Sequence, residues 1–203
     1  RNCTVTCSVD VRAGTGIRNR GQGRKKRDAQ DVPETTPVHL DSRPVNLQID
    51  GHTVISRLGE GTAGEVFLAR QPELDREVAL KRPSNPHPTL EQAQTFEMEA
   101  KVTASLKHPG VITVYTMGRD VDGRRYYTMK PLTQGMSLEK ILDGIRNDVA
   151  EILHEYTPNH LLEILQRTAE TIAYAHSREV THLDITPRNI IIGEYGEVTV
   201  IDW

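Results

Sequence analysis

Near the end of the chain the sequence reads "VTHLDITPRN" (Val180–Asn189), followed directly by Ile190-Ile191-Ile192. His182, Asp184 and Asn189 stand at H-x-D-x-x-x-x-N spacing on a short stretch that carries Pro187 and leads into an apolar, strand-like run. Two readings fit these residues. Asp and Asn are ordinary turn formers, so a polar loop before a buried strand needs no function. Alternatively, a carboxylate and a carboxamide five residues apart can divide two tasks of phosphoryl transfer, Asp184 orienting a hydroxyl and Asn189 holding a metal ion. The rest of the chain has to choose between them.

The 203 residues are enough for a sizeable core and for one large domain or two small ones. The net charge of −3 hides a strong asymmetry. Residues 1–30 hold eight Lys or Arg against two Asp, a charge of +6, which leaves −9 for the remainder. This arm contains "RGQGRKKR" (Arg20–Arg27), is rich in glycine and lacks apolar periodicity, so residues 1–44 read as a basic disordered tail and linker. Arg24-Lys25-Lys26-Arg27 give no clear nucleic-acid signal beyond that of a solvated tail. Both cysteines, Cys3 and Cys7, lie in the tail, and a core without cysteine suits a reducing, cytoplasmic compartment. No stretch approaches the ~18 consecutive apolar residues of a membrane span. The chain opens on Arg1 and stops at Trp203 directly after a strand-like run, so a fragment of a longer protein is expected.

Ordered patterning begins near Val45. "HTVISRLGEGTAGEVFLARQ" reads as strand, glycine turn, strand, and "REVALKR" (Arg76–Arg82) as a third strand. Thr89 with Gln92 forms a capping box for a helix to about Lys107. "HPGVITVYTMGRD" and "RRYYTMKPL" give strands four and five, joined at Asp122-Gly123. Ser137 caps a short helix to about Ile145. Thr157 and Pro158 start a long one whose inward stripe is read as Leu161, Leu165, Thr168, Ile172 and His176. A hairpin around Gly193–Gly196 closes the chain. Five strands with one interposed helix, followed by helices and a small hairpin, describe two lobes rather than a doubly wound sheet.

Four further features could join the loop. "GEGTAGEV" places Gly59, Gly61 and Gly64 between two strands, either as a plain glycine hairpin or as a flap whose backbone N–H groups face phosphates. A dinucleotide fingerprint would need a helix after it, and here a strand follows. "VALK" puts Lys81 on an apolar strand, where lysines usually sit at an edge and snorkel. Ala93, Phe96, Ala100, Thr103 and Leu106 mark one face of the first helix. Glu99 falls inside that stripe and Glu97 at its edge. An inward carboxylate is costly unless paired, and Lys81 is the obvious cation. Asp202, thirteen residues after Asn189, either caps a turn or supplies a second oxygen ligand to the same Mg²⁺.

Taken in order, "GEGTAGEV", "VALK", "FEMEA", "LKHPGVITVY", "YYTMKP", "AYAHSREVTHLDITPRNIII" and "VIDW" resemble the protein kinase family, most closely the bacterial eukaryotic-like serine/threonine kinases. The likeness runs from about Thr53 to Trp203. It implies an α+β, two-lobed protein-kinase-like fold: a five-stranded N-lobe sheet with one helix over 45–130, and a hinge with a partial helical C-lobe over 131–203. It also implies ATP and Mg²⁺ as ligands and a protein substrate with a Ser or Thr acceptor. Carried over by position, Lys81 would contact the α/β-phosphates and pair with Glu99, and Asp184 would be the catalytic base. Asn189 and Asp202 would hold the metal. Leu58, Gly59, Glu60, Gly61 and Gly64 would form the flap, and Met129 would be the gatekeeper. The backbones of Lys130 and Leu132 would read adenine between Leu58, Val66 and Ala79 above and Ile191 below.

Three positions depart from the family pattern. Leu183 stands where an arginine answers activation-loop phosphorylation, Thr186 where a lysine neutralises the transferring phosphoryl group, and Trp203 where phenylalanine is usual. Arg188, four residues after Asp184, is expected to reach the γ-phosphate in place of that lysine. A pseudokinase or ATP-binding regulatory module would keep the nucleotide and metal residues and lose turnover. A small-molecule phosphotransferase would share the H-x-D-x-x-x-x-N loop. The 203-residue stretch by itself is expected to turn over little peptide.

Overall fold

The computed structural model describes residues 47–61 and 64–203. The basic tail, the linker to residue 44, Cys3 and Cys7 therefore lie outside the described residues, as do Thr62 and Ala63. The first unit is an antiparallel sheet built from β1 (Gln48–Ile49), β2 (His52–Gly61), β3 (Gly64–Gln71), β4 (Arg76–Arg82), β5 (Val114–Arg119) and β6 (Arg125–Met129). Their order is β1-β2-β3-β4-β6-β5. The expected five strands become six because Gln48–Ile49 folds back on β2 across the Asp50-Gly51 turn. A two-residue strand carries no periodicity of its own, so sequence patterning passes over it.

The period-2 alternation of β4 and β6 sorts the sheet into two faces. Val78, Leu80 and Tyr126 join Ile49, Val54, Phe67 and Ala69 in one apolar cluster. Ala79, Tyr127 and Met129 face the other way, against Phe96 and Ala100 of helix α1 (Leu90–Ser105). Lys81 lies directly across from Tyr127 in the β4–β6 register, so alternation places its side chain on the α1 face. Gly64 is required by crowding: a Cβ there would run into the carbonyl of Arg82 on the neighbouring strand.

Helix α1 begins as read. The Thr89 side chain accepts from the Gln92 N–H, and the Gln92 side chain accepts from the Thr89 N–H. Losing such a cap costs about 1 kcal/mol. Thr89→Ala is therefore expected to lower stability by about that amount, read as a shift in the urea midpoint without a change in slope. All five residues of the expected inward stripe, Ala93 to Leu106, are buried.

The second unit opens with β7 (Met136–Ser137) and α2 (Leu138–Arg146), capped by Ser137. Then come α3 (Ala150–Glu155), α4 (Pro158–His176), β8 (Ile190–Ile192) and β9 (Val198–Val200). β7, β8 and β9 form a small sheet in that order. The reading of the sequence contained neither the six-residue α3 nor the two-residue β7. The stripe assigned to α4 needs correction. The residues it buries are Ile164, Thr168, Thr171 and Ala175, whereas Leu165 is 53% exposed and His176 is exposed. The helix turns its small side inward because α4 approaches Gly110 closely: a Cβ on Gly110 would collide with the Thr171 hydroxyl. The two buried threonines return their hydroxyl protons to the helix, Thr168 to the Ile164 carbonyl (2.8 Å) and Thr171 to that of Arg167 (2.9 Å). Buried threonine is thus satisfied locally, and hydrophobicity alone misplaces the face.

Candidate active site

The sequence brings five polar residues to one place by different means. Lys81 arrives on β4, Glu99 on α1, Asp202 just past β9, and Asp184 with Asn189 on the loop before β8. The Lys81 ammonium donates to Glu99 Oε1 at 2.5 Å and to Asp202 Oδ1 at 2.8 Å. Lys81 is 3% exposed, so this is a paired internal charge and not a snorkelling one. Burial works against its charge, but the Glu99 and Asp202 carboxylates outweigh burial and hold its pKa above the ordinary 10.5.

A raised folded pKa adds stability that is whole below the unfolded value and fades as pH climbs through the folded one. The ion pair is thus expected to contribute fully at neutral pH and to fade only above pH 10.5. Urea unfolding of wild type and Lys81→Met across that boundary checks the sign, since their difference in stability should shrink only on the alkaline side.

Around the loop, the Asn189 amide nitrogen donates to the Asp184 carbonyl (3.0 Å) and to Asp184 Oδ2 (3.1 Å). Asn189 is buried at the end of a single 3-10 turn, Pro187–Asn189. Arg188 Nη2 lies 3.5 Å from Asp184 Oδ2, with both side chains more than half exposed. The Ile201 N–H donates to the Asn189 carbonyl at 3.0 Å, which sets Asp202 one residue from the Asn189 backbone. Two non-glycine residues here have left-handed backbone, Leu183 (φ 64°) and Asp202 (φ 61°). For a residue as bulky as leucine this is a costly conformation, and the Leu183 side chain is 91% exposed.

One imidazole ties both left-handed positions. His182 Nδ1 accepts from the Asp184 N–H at 3.4 Å, and its Nε2 donates to the Ile201 carbonyl at 2.9 Å. Because a carbonyl can only accept, the proton sits on Nε2. Trp203 packs beside this ring, 4.8 Å between centroids, and donates its indole N–H to the Val200 carbonyl.

The sites read for an adenine ring are also in one place. Leu58, Val66 and Leu132 pack at the edge of the cluster that contains Ala79 and Met129. Ile190 and Ile192 point into the lower core while Ile191 between them is only half-buried. The Lys130 N–H is already bonded to the Thr113 carbonyl (2.9 Å), Pro131 has no N–H, and the Leu132 carbonyl accepts from Gly135. The Lys130 carbonyl and the Leu132 N–H make no hydrogen bond among the described residues, one acceptor and one donor two residues apart. At the base of the flap, Glu65 accepts from Arg57 (2.8 Å) and Arg82 (3.3 Å), and Glu60 pairs with Arg57 (2.9 Å). A Cβ on Gly59 would meet no protein atom within 4 Å, so packing does not demand glycine there.

Tyr127 escaped the sequence reading. Its hydroxyl donates to Glu99 Oε1 at 2.6 Å, the oxygen that also receives Lys81. The signal was available, because Tyr127 lies two residues before Met129 and so shares its face of β6. No local pattern announces the left-handed turns at Leu183 and Asp202.

The model for the protein kinase domain matches residues 52–203. The serine/threonine-protein kinase PknD of Protochlamydia amoebophila is 36% identical over 171 residues, covering 80% of this chain and 17% of the relative. PknD of Chlamydia felis is 37% identical over 159 residues, covering 75% and 16%. The chain thus spans about a sixth of the length of these curated relatives. Among solved structures, the Mycobacterium tuberculosis PknI kinase domain superposes with a TM-score of 0.59 at 27% identity, over 77% of this chain and 60% of that one. Family match, relatives and architecture agree, and the chain belongs to the protein kinase domain family.

Proposed function

We propose that the chain is the ATP- and Mg²⁺-binding part of a serine/threonine protein kinase, and that Lys81, Glu99, Asp184, Arg188, Asn189 and Asp202 form its reaction centre. The observation that carries this reading is the Lys81 ammonium held between Glu99 and Asp202 beside the Asp184–Asn189 pair. Among the described residues no group of three or more His, Cys, Asp or Glu is clustered to enclose a metal. The Asn189 amide oxygen and the Asp202 carboxylate are two hard oxygen donors suited to Mg²⁺, with phosphates and water completing its shell. A glycine at 59 that packing does not require fits close approach of a ligand to the flap. When bound, Mg²⁺-ATP supplies the phosphoryl group and neutralises charge on it.

The protein contributes position and electrostatics. The Asp184 carboxylate orients the acceptor hydroxyl and receives its proton as the new O–P bond forms and the bond from the γ-phosphorus to ADP breaks. The Lys81 ammonium is placed for the α- and β-phosphates, and the Arg188 guanidinium beside Asp184 for the transferred group. The Lys130 carbonyl and Leu132 N–H offer the adenine edge an acceptor and a donor. In this reading residues 45–130 act as the upper lobe and 131–203 as hinge and lower lobe. The need for ATP places the domain in the cytoplasm, where protein substrates meet it.

A second reading, an ATP-binding module without turnover, is favoured by one observation. At position 186, where the family carries a lysine, the Thr186 hydroxyl oxygen is buried with no partner among the described residues. The full-length protein incubated with labelled ATP, Mg²⁺ and a general protein acceptor separates the two. Phosphoserine or phosphothreonine that disappears in Arg188→Ala supports the kinase. Nucleotide binding with no transfer supports the module, and phosphotyrosine alone would overturn the acceptor assignment.

A further inference from the structure

We propose that Tyr127 is a positioning residue of this centre, its hydroxyl holding Glu99, and α1 with it, against Lys81. The inference rests on the kinase reading for its consequence but not for its geometry. Tyr127 is 3% exposed and sits directly across from Lys81 in the sheet. Its hydroxyl donates to Glu99 Oε1 at 2.6 Å, and its ring packs on Phe96, one turn earlier on α1, at 5.2 Å. Burial, and then the Glu99 charge, push the phenol far above its ordinary pKa, so it remains a donor at any working pH.

Helix α1 needs such a tether. Its buried residues are Ala93, Phe96, Ala100 and Thr103, three of them small, while Leu90 and Met98 are exposed. Apolar burial scales with area, so this face grips the sheet weakly apart from Phe96. Polar contacts to the sheet supply much of what fixes the helix, the Glu97 carboxylate on Arg125 of β6 and the Glu99 carboxylate on Lys81 and Tyr127. Of these, the Lys81 contact is shared, since Asp202 draws on the same ammonium. The Tyr127 hydroxyl has Glu99 as its partner and no charge to surrender. Glu99 therefore keeps a donor for which neither Asp202 nor phosphate competes.

Hydrogen exchange on the full-length protein without nucleotide, together with kcat and KM for ATP, tests this in wild type, Tyr127→Phe and Tyr127→Leu. Phe keeps the ring against Phe96 and removes only the hydroxyl. Exchange of the α1 amides around Glu99 should rise about ten- to a hundredfold in Tyr127→Phe, the range of a hydrogen bond to a charged group, and kcat should fall by a similar factor with KM changed far less. Loss of ring packing alone would lower stability in Tyr127→Leu and leave Tyr127→Phe like wild type in both exchange and kcat. That outcome overturns the proposal. Faster exchange in Tyr127→Phe with no phosphoryl transfer by wild type would support the tether and overturn the reaction assigned to the site.

Discussion

Asp184→Asn is expected to reduce phosphoryl transfer by about 10²–10⁴-fold, the usual contribution of a positioned general base, while nucleotide binding persists. The structure explains why these two effects should separate. The Asp184 carboxylate is more than half exposed and is held by the Asn189 amide and the Arg188 guanidinium, not by the Lys81 pair. Its backbone is fixed independently, through its N–H to His182 and its carbonyl to Asn189. An asparagine can keep that geometry but cannot accept the proton. Comparing kcat with the dissociation constant for ATP in the two proteins checks the split. Equal losses in both would place Asp184 in nucleotide binding instead of catalysis.

Lys81→Met is expected to damage both folding and turnover. Removing one partner of a buried pair leaves the other charge uncompensated, at a cost of about 3–5 kcal/mol. Here the Glu99 side chain, 14% exposed, carries most of that cost. The Asp202 side chain is 48% exposed, so water screens it and it adds little. The Tyr127 hydroxyl still serves Glu99, which places the expected loss at the lower end, about 3 kcal/mol. Turnover should fall by about 10²–10³-fold, as when a donor to developing negative charge is removed. Adding Glu99→Gln to Lys81→Met removes the stranded charge and should restore part of the stability and none of the turnover. A denaturant series on the single and double variants measures the first, and steady-state kinetics the second.

Where sequence and structure agree, the reason is periodicity or cap chemistry. The α1 stripe and the inward Glu99 follow from a 3.6-residue repeat with a defined start at Thr89. The face of Lys81 follows from alternation along β4. Where they part, the local signal was absent or misleading. Thr168 and Thr171 look polar yet are buried, because their hydroxyls bond back to the helix carbonyls and their small size admits Gly110. The two-residue strands β1 and β7 exist only through pairing with β2 and β8. The left-handed backbone at Leu183 and Asp202 adjoins the two hydrogen bonds of His182, a local one from the Asp184 N–H and a long-range one to the Ile201 carbonyl, and a leucine gives no sign of it. The loop residues Asp184 and Asn189 were legible as a motif. Their direct hydrogen bond, and the tilted packing of Trp203 beside His182, were not.

Asn189 and Asp202 are expected to hold a metal ion that presents nucleotide to Lys81 and Asp184. Calorimetric titration of the full-length protein with ATP, with and without Mg²⁺, and again for Asp202→Ala, tests it most directly. The wild type should bind tightly and more weakly when Mg²⁺ is withheld, and the weaker binding of Asp202→Ala should no longer respond to Mg²⁺. ATP affinity that is the same with and without Mg²⁺ in wild type, or unchanged by Asp202→Ala, would contradict it.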